Sequence, residues 1–114
     1  MKHIAVVFLL IISQLVSAQK KTESTIVVDG VCNMCKNRIE KALDVPGILY
    51  AEWNKKTKHL RVVYRPAEIT LDSIHYLINQ AGHDTEKSKA PDEIYYSLAP
   101  CCNYRDINNI HRKE

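Results

Sequence analysis

Apolar residues recur along this chain at two periods, and each change of period marks an element. Thr25-Ile26-Val27-Val28 is a β-branched run of the kind that suits a pleated, half-buried strand. From about Met34 to Leu43 the period becomes helical. Cys35, Ile39, Ala42 and Leu43 fall at i, i+4, i+7 and i+8 on one face, while Lys36, Arg38, Glu40 and Lys41 make up the wet side. Pro46-Gly47 stops that helix. Ile48 to Trp53 reads as a second strand, with Trp53 as core or sheet-face packing, and the polar run Asn54 to Lys58 reads as a turn. Leu60, Val62 and Tyr64 then alternate with Arg61, Val63 and Arg65, which predicts a third strand and a hairpin. Thr70 caps a second helix, Asp72 sits in its first turn, and Leu71, Ile74, Leu77, Ile78 and Ala81 form its apolar stripe. Gly82 stands where a left-handed C-cap belongs. Past it the pattern weakens. His83 to Lys87 predicts a short edge strand, Ser88 to Pro91 a break, and Ile94 to Leu98 a further strand or a packed extension.

The order strand, helix, strand, strand, helix, strand defines an α+β chain. Its expected architecture is a ferredoxin-like β-α-β-β-α-β sandwich, two helices on one face of an antiparallel sheet, with a C-terminal extension. The domain is expected over 24–88, preceded by a flexible segment 19–23 and followed by an extension 89–114 that carries Cys101-Cys102. A unit of that size buries only about 60% of its unfolded surface, so its stability is modest and a metal bound to the folded form alone adds to it. Residues 1–18 are set apart. A short basic start, the apolar run Ile4 to Ile12 and the small residues Val16-Ser17-Ala18 read as a signal peptide cut before Gln19. The expectation is an exported, periplasmic protein.

The formal net charge is +3 over 114 residues. That surplus is no nucleic-acid footprint, and no basic stripe interleaves with aromatics. A nucleophile with an attached base, a phosphate-cradling glycine loop and an acid pair are all missing from the sequence, so neither an enzyme nor a small-molecule substrate is expected. The four cysteines, Cys32, Cys35, Cys101 and Cys102, carry what chemistry there is. In an oxidising compartment they allow three fully paired connectivities, and the sequence does not choose among them.

Cys32 and Cys35 stand two residues apart where the first strand ends and the first helix begins. The unpartnered N–H groups of a first helical turn and the positive end of the dipole favour an anion there, which predicts lowered thiol pKa values. A soft ion can bridge two sulfurs held this way. Thioredoxin-like redox exchange uses the same spacing, and an inert disulfide is a third reading. Metal binding leads, because the topology offers little parallel sheet and Val31, not an aromatic, precedes the first cysteine. Soft thiolates select Cu(I) first, with Hg(II) and Zn(II) as alternatives, although two sulfurs are too few for a closed zinc site. His83, on the loop after the second helix, lies at the same end of the sheet. It is a candidate extra ligand or hydrogen-bond partner of the site, or simply a histidine ending a helix. Cys101 and Cys102 are candidates to complete a three- or four-sulfur site, or to form a disulfide. Adjacent side chains reach one metal awkwardly, which favours one of the two. His59, His75 and His111 read as surface or sheet-face residues, and Tyr95-Tyr96 as packing. Lys36, Arg38 and Lys41 read as a solvated face that can also steer an acidic partner.

Gly30-x-Cys32-x-x-Cys35 between strand and helix resembles the heavy-metal-associated domain of copper chaperones, copper-transporting ATPases and the periplasmic mercury-binding protein. Val45-Pro46-Gly47-Ile48, Ala51-x-Trp53, Leu60-x-Val62-x-Tyr64 and Ala81-Gly82-His83 support the likeness over Thr25 to about Lys87. The family's usual motif is Gly-Met-x-Cys-x-x-Cys. Here one residue fewer separates glycine from cysteine, Val31 stands where methionine is usual, and Met34 lies between the cysteines. The resemblance implies a soft-metal carrier or scavenger that holds its ion on Cys32 and Cys35, with Gly30, Val31 and Met34 supporting the site. It would pass the ion by thiolate exchange to a metal-transporting membrane protein or another metal-binding domain.

Overall fold

The structure is a computed structural model that describes residues 20–113, so the expected leader lies outside the described residues. Strands β1 (Thr22–Val27), β2 (Ile48–Trp53) and β3 (His59–Tyr64) form an antiparallel sheet in the order β1-β3-β2. Helices α1 (Asn33–Ala42) and α2 (Leu71–Gln80) pack on one face of it, and a short helix α3 (Asp92–Tyr96) and the 3-10 turns Pro100–Cys102 and Ile110–Lys113 follow. This is the mixed, ferredoxin-like arrangement that the element order implies.

Alternation puts the core where the pattern requires it. Leu60, Val62 and Tyr64 of β3 point inward with Ile26 and Trp53, and meet Ile39 and Leu43 of α1 and Ile74 and Ile78 of α2. β1 begins already at Thr22, because backbone pairing with Tyr64 and a Glu23–Arg61 ion pair carry the polar start of the strand. Thr70 caps α2 by accepting from the Ser73 N–H at 3.1 Å. At the other end of α2 the His83 N–H reaches the Ile78 carbonyl (3.2 Å) and the Gly82 N–H the Asn79 carbonyl (2.9 Å). That double closure requires a left-handed residue, supplied by Gly82 at φ +100°.

One expectation needs correction, and one open choice is decided. The edge strand over His83 to Lys87 reduces to a single antiparallel bridge between Val28 and Thr85. The Thr85 hydroxyl accepts from the N–H groups of Lys87 and Ser88, 3.2 Å each, and the tight turn it makes pulls the chain off the sheet. Its place beside β1 is still that of a fourth strand. Of the two readings of Ile94 to Leu98, a strand or a packed extension, the structure shows the packed extension. Pro91 and the acidic pair Asp92-Glu93 start α3, which turns Tyr95 into the core and leaves Tyr96 in solvent.

Candidate metal centre

The loop between β1 and α1 is held from below. The Trp53 indole N–H donates to the Val28 carbonyl at 3.0 Å, and its ring packs against Gly30. A Cβ on Gly30 would sit 3.0 Å from two Trp53 ring carbons and 3.2 Å from the Cys35 Cβ, so any side chain there would press on both. Val31 is buried beside it. Cys32 occupies the N-cap of α1 and Cys35 its first turn, with their sulfurs 3.3 Å apart. No disulfide joins them, and both are buried, Cys32 keeping 7% of its surface.

The extension brings in a third sulfur. Cys102 Sγ lies 3.4 Å from Cys32 Sγ, and the thiols of Cys32, Cys35 and Cys102 all fall within 4.8 Å of one another. The two adjacent cysteines diverge. Cys101 turns outward, its thiol donating to the Met34 sulfur at 3.4 Å and lying 3.8 Å from Cys102. Met34, half exposed, and Cys101 line a shallow groove of about 320 Å³ with Cys32, Asn33, Lys55 and His111. Through that groove Cys32 faces solvent.

The extension is seated by aromatic and ionic contacts on the loop after α2. The Tyr104 hydroxyl donates to the Gly82 carbonyl (2.7 Å) and accepts from the Asp84 N–H (2.9 Å). Its ring stacks on His83 at 5.3 Å and meets Tyr95 edge-on at 5.0 Å. Arg105 grips the Asp84 carboxylate with two bonds, 2.8 and 3.0 Å, and reaches Asp92 and the Ala90 carbonyl at 3.0 Å each.

His83 does not join the sulfur cluster. Its Nδ1–H donates to the Asp29 carbonyl at 2.9 Å, which leaves Nε2 as the acceptor facing the Arg38 guanidinium at 3.5 Å. Burial lowers its pKa to about 4, so the ring is neutral at pH 7. Arg38 is also near enough to Cys102 to lower the pKa of its thiol. His83 therefore reaches the thiols only through Arg38. Neither this arginine nor Tyr104 stood out in the sequence. Arg38 sits on the polar stripe of α1 and read as solvated, and Tyr104 lies where no period holds. Lys36 is also not merely solvated, since it pairs with Glu40 at 2.6 Å and with the Trp53 carbonyl at 2.9 Å. His75 is a further correction. It is buried on α2, 2.7 Å from the Thr85 hydroxyl.

The electrostatics also depart from expectation. Burial pushes the Cys35 thiol up to about 12, against the lowering predicted from its helix terminus, and the neighbouring thiols add to the rise. Burial acts the same way on Cys102, but Arg38 and the thiols of Cys32 and Cys35 hydrogen-bond to it and bring it below the ordinary thiol value. The cation has thus gone to the extension's cysteine and not to the helix-start pair.

No family model matches the chain. Relatives nonetheless exist. The chain is 33% identical over 67 residues to the copper chaperone CopZ of Staphylococcus epidermidis, a match that takes in 57% of this chain and 98% of that protein. It is 33% identical over 63 residues to the copper-exporting P-type ATPase of Staphylococcus haemolyticus, covering 54% of this chain and 8% of the ATPase. Among solved structures, the water-soluble region of the P-type ATPase CopA from Bacillus subtilis matches with a TM-score of 0.56 and 33% identity, over 59% of this chain and 46% of that one. Oxidised MerP from Ralstonia metallidurans CH34 matches with a TM-score of 0.55 over 59% of this chain and 96% of that one; at 20% identity that likeness is one of fold. A ferredoxin-like sandwich with a thiol pair on its first β–α loop defines a class of metal-binding domain. The chain belongs to the heavy-metal-associated family, with copper chaperones and segments of copper ATPases among its relatives.

Proposed function

We propose that this protein is a carrier or scavenger of a soft monovalent ion, Cu(I), which it takes on Cys32 and Cys35 and surrenders by thiolate exchange. The observation that carries the reading is the cluster of three unbridged thiols within 4.8 Å of one another at the head of α1. Thiolate sulfur is the donor that Cu(I) prefers, and a buried, water-poor site protects that oxidation state. Hg(II) would accept the same sulfurs, and the copper-handling relatives favour copper. The receiver we propose is a metal-transporting membrane protein bearing a similar thiol loop. Residues 1–18 support export to the periplasm.

This is a binding protein in our reading, not a thiol–disulfide oxidoreductase. An attacking cysteine needs exposure and thiolate character. Cys35 is wholly buried and Cys32, the candidate attacking sulfur, keeps only 7% of its surface, so neither offers an open nucleophile. The test is an anaerobic Cu(I) titration of the reduced protein against a competing chelator, with Cys32→Ser plus Cys35→Ser as control. One tight equivalent, lost in the double variant, is expected. Weak binding, or binding indifferent to the substitutions, would turn the assignment to the redox reading, where the reduction potential of the pair becomes the quantity to measure.

A further inference from the structure

We propose that Cys102 is a third ligand, so that the C-terminal extension converts a two-thiol loop into a three-thiol site holding its soft ion in trigonal coordination. This deepens the carrier reading and rests on it. With metal–sulfur bonds of about 2.3 Å, the length zinc thiolates show, three sulfurs spaced evenly around an ion lie about 4.0 Å apart. The observed separations, 3.3 Å, 3.4 Å and a third within 4.8 Å, bracket that value. Small rotations about the Cα–Cβ bonds open the close pairs around a central ion.

Packing alone does not account for the arrangement. A buried cysteine that merely fills space sits among apolar groups. Cys102 instead has the Cys32 thiol at 3.4 Å and the Cys35 thiol within 4.8 Å, with the cationic Arg38 nearby. Three thiolates and one monovalent ion leave a net charge of about −2, costly to bury without a counter-charge. Arg38 supplies part of it. Its guanidinium lies 3.5 Å from Nε2 of His83, whose ring is fixed by the Asp29 carbonyl and the Tyr104 stack. The divergence of Cys101 toward Met34 removes the difficulty of two adjacent ligands: one sulfur of the pair faces the ion and the other the groove.

The consequence concerns release. A partner's sulfur needs a coordination position that Cys102 fills. As the incoming sulfur–metal bond forms, the Cys102–metal bond breaks, and the proton given up by the partner's thiol passes to Cys102. The metal keeps its charge throughout. The extension therefore retains cargo against weak competitors and slows hand-off.

X-ray absorption at the copper edge, on the anaerobically loaded full chain, counts the sulfurs without any variant. Three are expected, falling to two in Cys102→Ser, with affinity at least tenfold weaker and transfer to a competing dithiol faster. Cys101→Ser should keep three sulfurs and wild-type affinity. A two-sulfur site in the unaltered protein, with Cys102→Ser within twofold of its affinity, overturns the third ligand and leaves the carrier reading standing. Absence of Cu(I) binding, or binding that survives loss of Cys32 and Cys35, overturns the carrier reading and the third ligand with it.

Discussion

Gly30 shows how one missing side chain sets the site. Its backbone lies against the Trp53 ring and the Cys35 Cβ at distances where a methyl group would press on both. Trp53 cannot yield, since it is buried and its indole N–H is tied to Val28. Gly30→Ala is therefore expected to lose about 1–3 kcal/mol of stability, the usual cost of overpacking a filled core. Trp53→Phe removes the two ring carbons that clash, so the double variant should lose less than the sum of the singles. Urea midpoints of the four proteins measure that coupling, and strict additivity would place the glycine's role elsewhere. At this scale the sequence was partly legible. Gly30, Cys32 and Cys35 announce themselves by spacing and by the switch from strand to helix. Arg38 does not, because a basic residue on the wet stripe of a helix is indistinguishable from a solvated one until something is laid over it. The thiol acidity was misread for the same reason: a helix start argues for a lowered value, but Cys35 is covered and burial outweighs the dipole.

Among the elements, those with a period of their own were readable and those defined by a side-chain hydrogen bond were not. Both long helices, the hairpin and the Gly82 cap follow from alternation, capping residues and a left-handed glycine. The missing fourth strand follows from the Thr85 hydroxyl, whose turn no propensity announces. The loop after α2 also stores a pH dependence. His83 ionises near 6.5 in an unfolded chain and near 4 here, lowered by burial first. His75 is lowered by burial as well. A histidine held neutral in the fold takes up its proton more readily when unfolded, so stability is complete above about pH 6.5 and is lost as the pH falls toward 4. From pH 7 to pH 5 the His83 contribution falls by about 2 kcal/mol. Urea unfolding of the reduced, metal-free protein should show that loss. His83→Gln should be less stable than wild type at pH 7 yet change less between the two pH values. An equal loss in both proteins would take the dependence away from His83.

For the whole molecule, the decisive feature is the seating of the extension on the domain. Its sequence has no period and short elements, so no pattern says where it goes. Only the contacts of Tyr104, Tyr95 and Arg105 do. Tyr104 and Arg105 share the Gly82–Asp84 segment as receptor, and that segment also meets the cysteine loop through His83 and Asp29. The extension thereby reaches the thiols at a fixed height, and Arg105 ties it to Asp84 while also joining Asp92 and the Ala90 carbonyl. The Arg105 side chain is 24% exposed and that of Asp84 15%, so removing the arginine leaves a carboxylate largely buried without its partner. Full burial would put the loss at about 3–5 kcal/mol, and residual solvent on both groups brings it nearer 2. Arg105→Ala also strips the cation from the Tyr95 ring, 4.1 Å away. The core of the domain keeps its own packing in Ile26, Ile39, Leu60 and Ile78, so the damage should be local: the turn over Pro100–Cys102 lifts while the sandwich stays folded. Alkylation of the reduced, metal-free protein, with the modified positions identified by peptide mass, follows this directly. Cys102 should react at least tenfold faster in Arg105→Ala than in wild type, with Cys35 little changed. Equal rates at Cys102 would mean that the Tyr104 contacts alone hold the extension. Comparable acceleration at Cys35 would mean that the domain and its extension unfold as one unit.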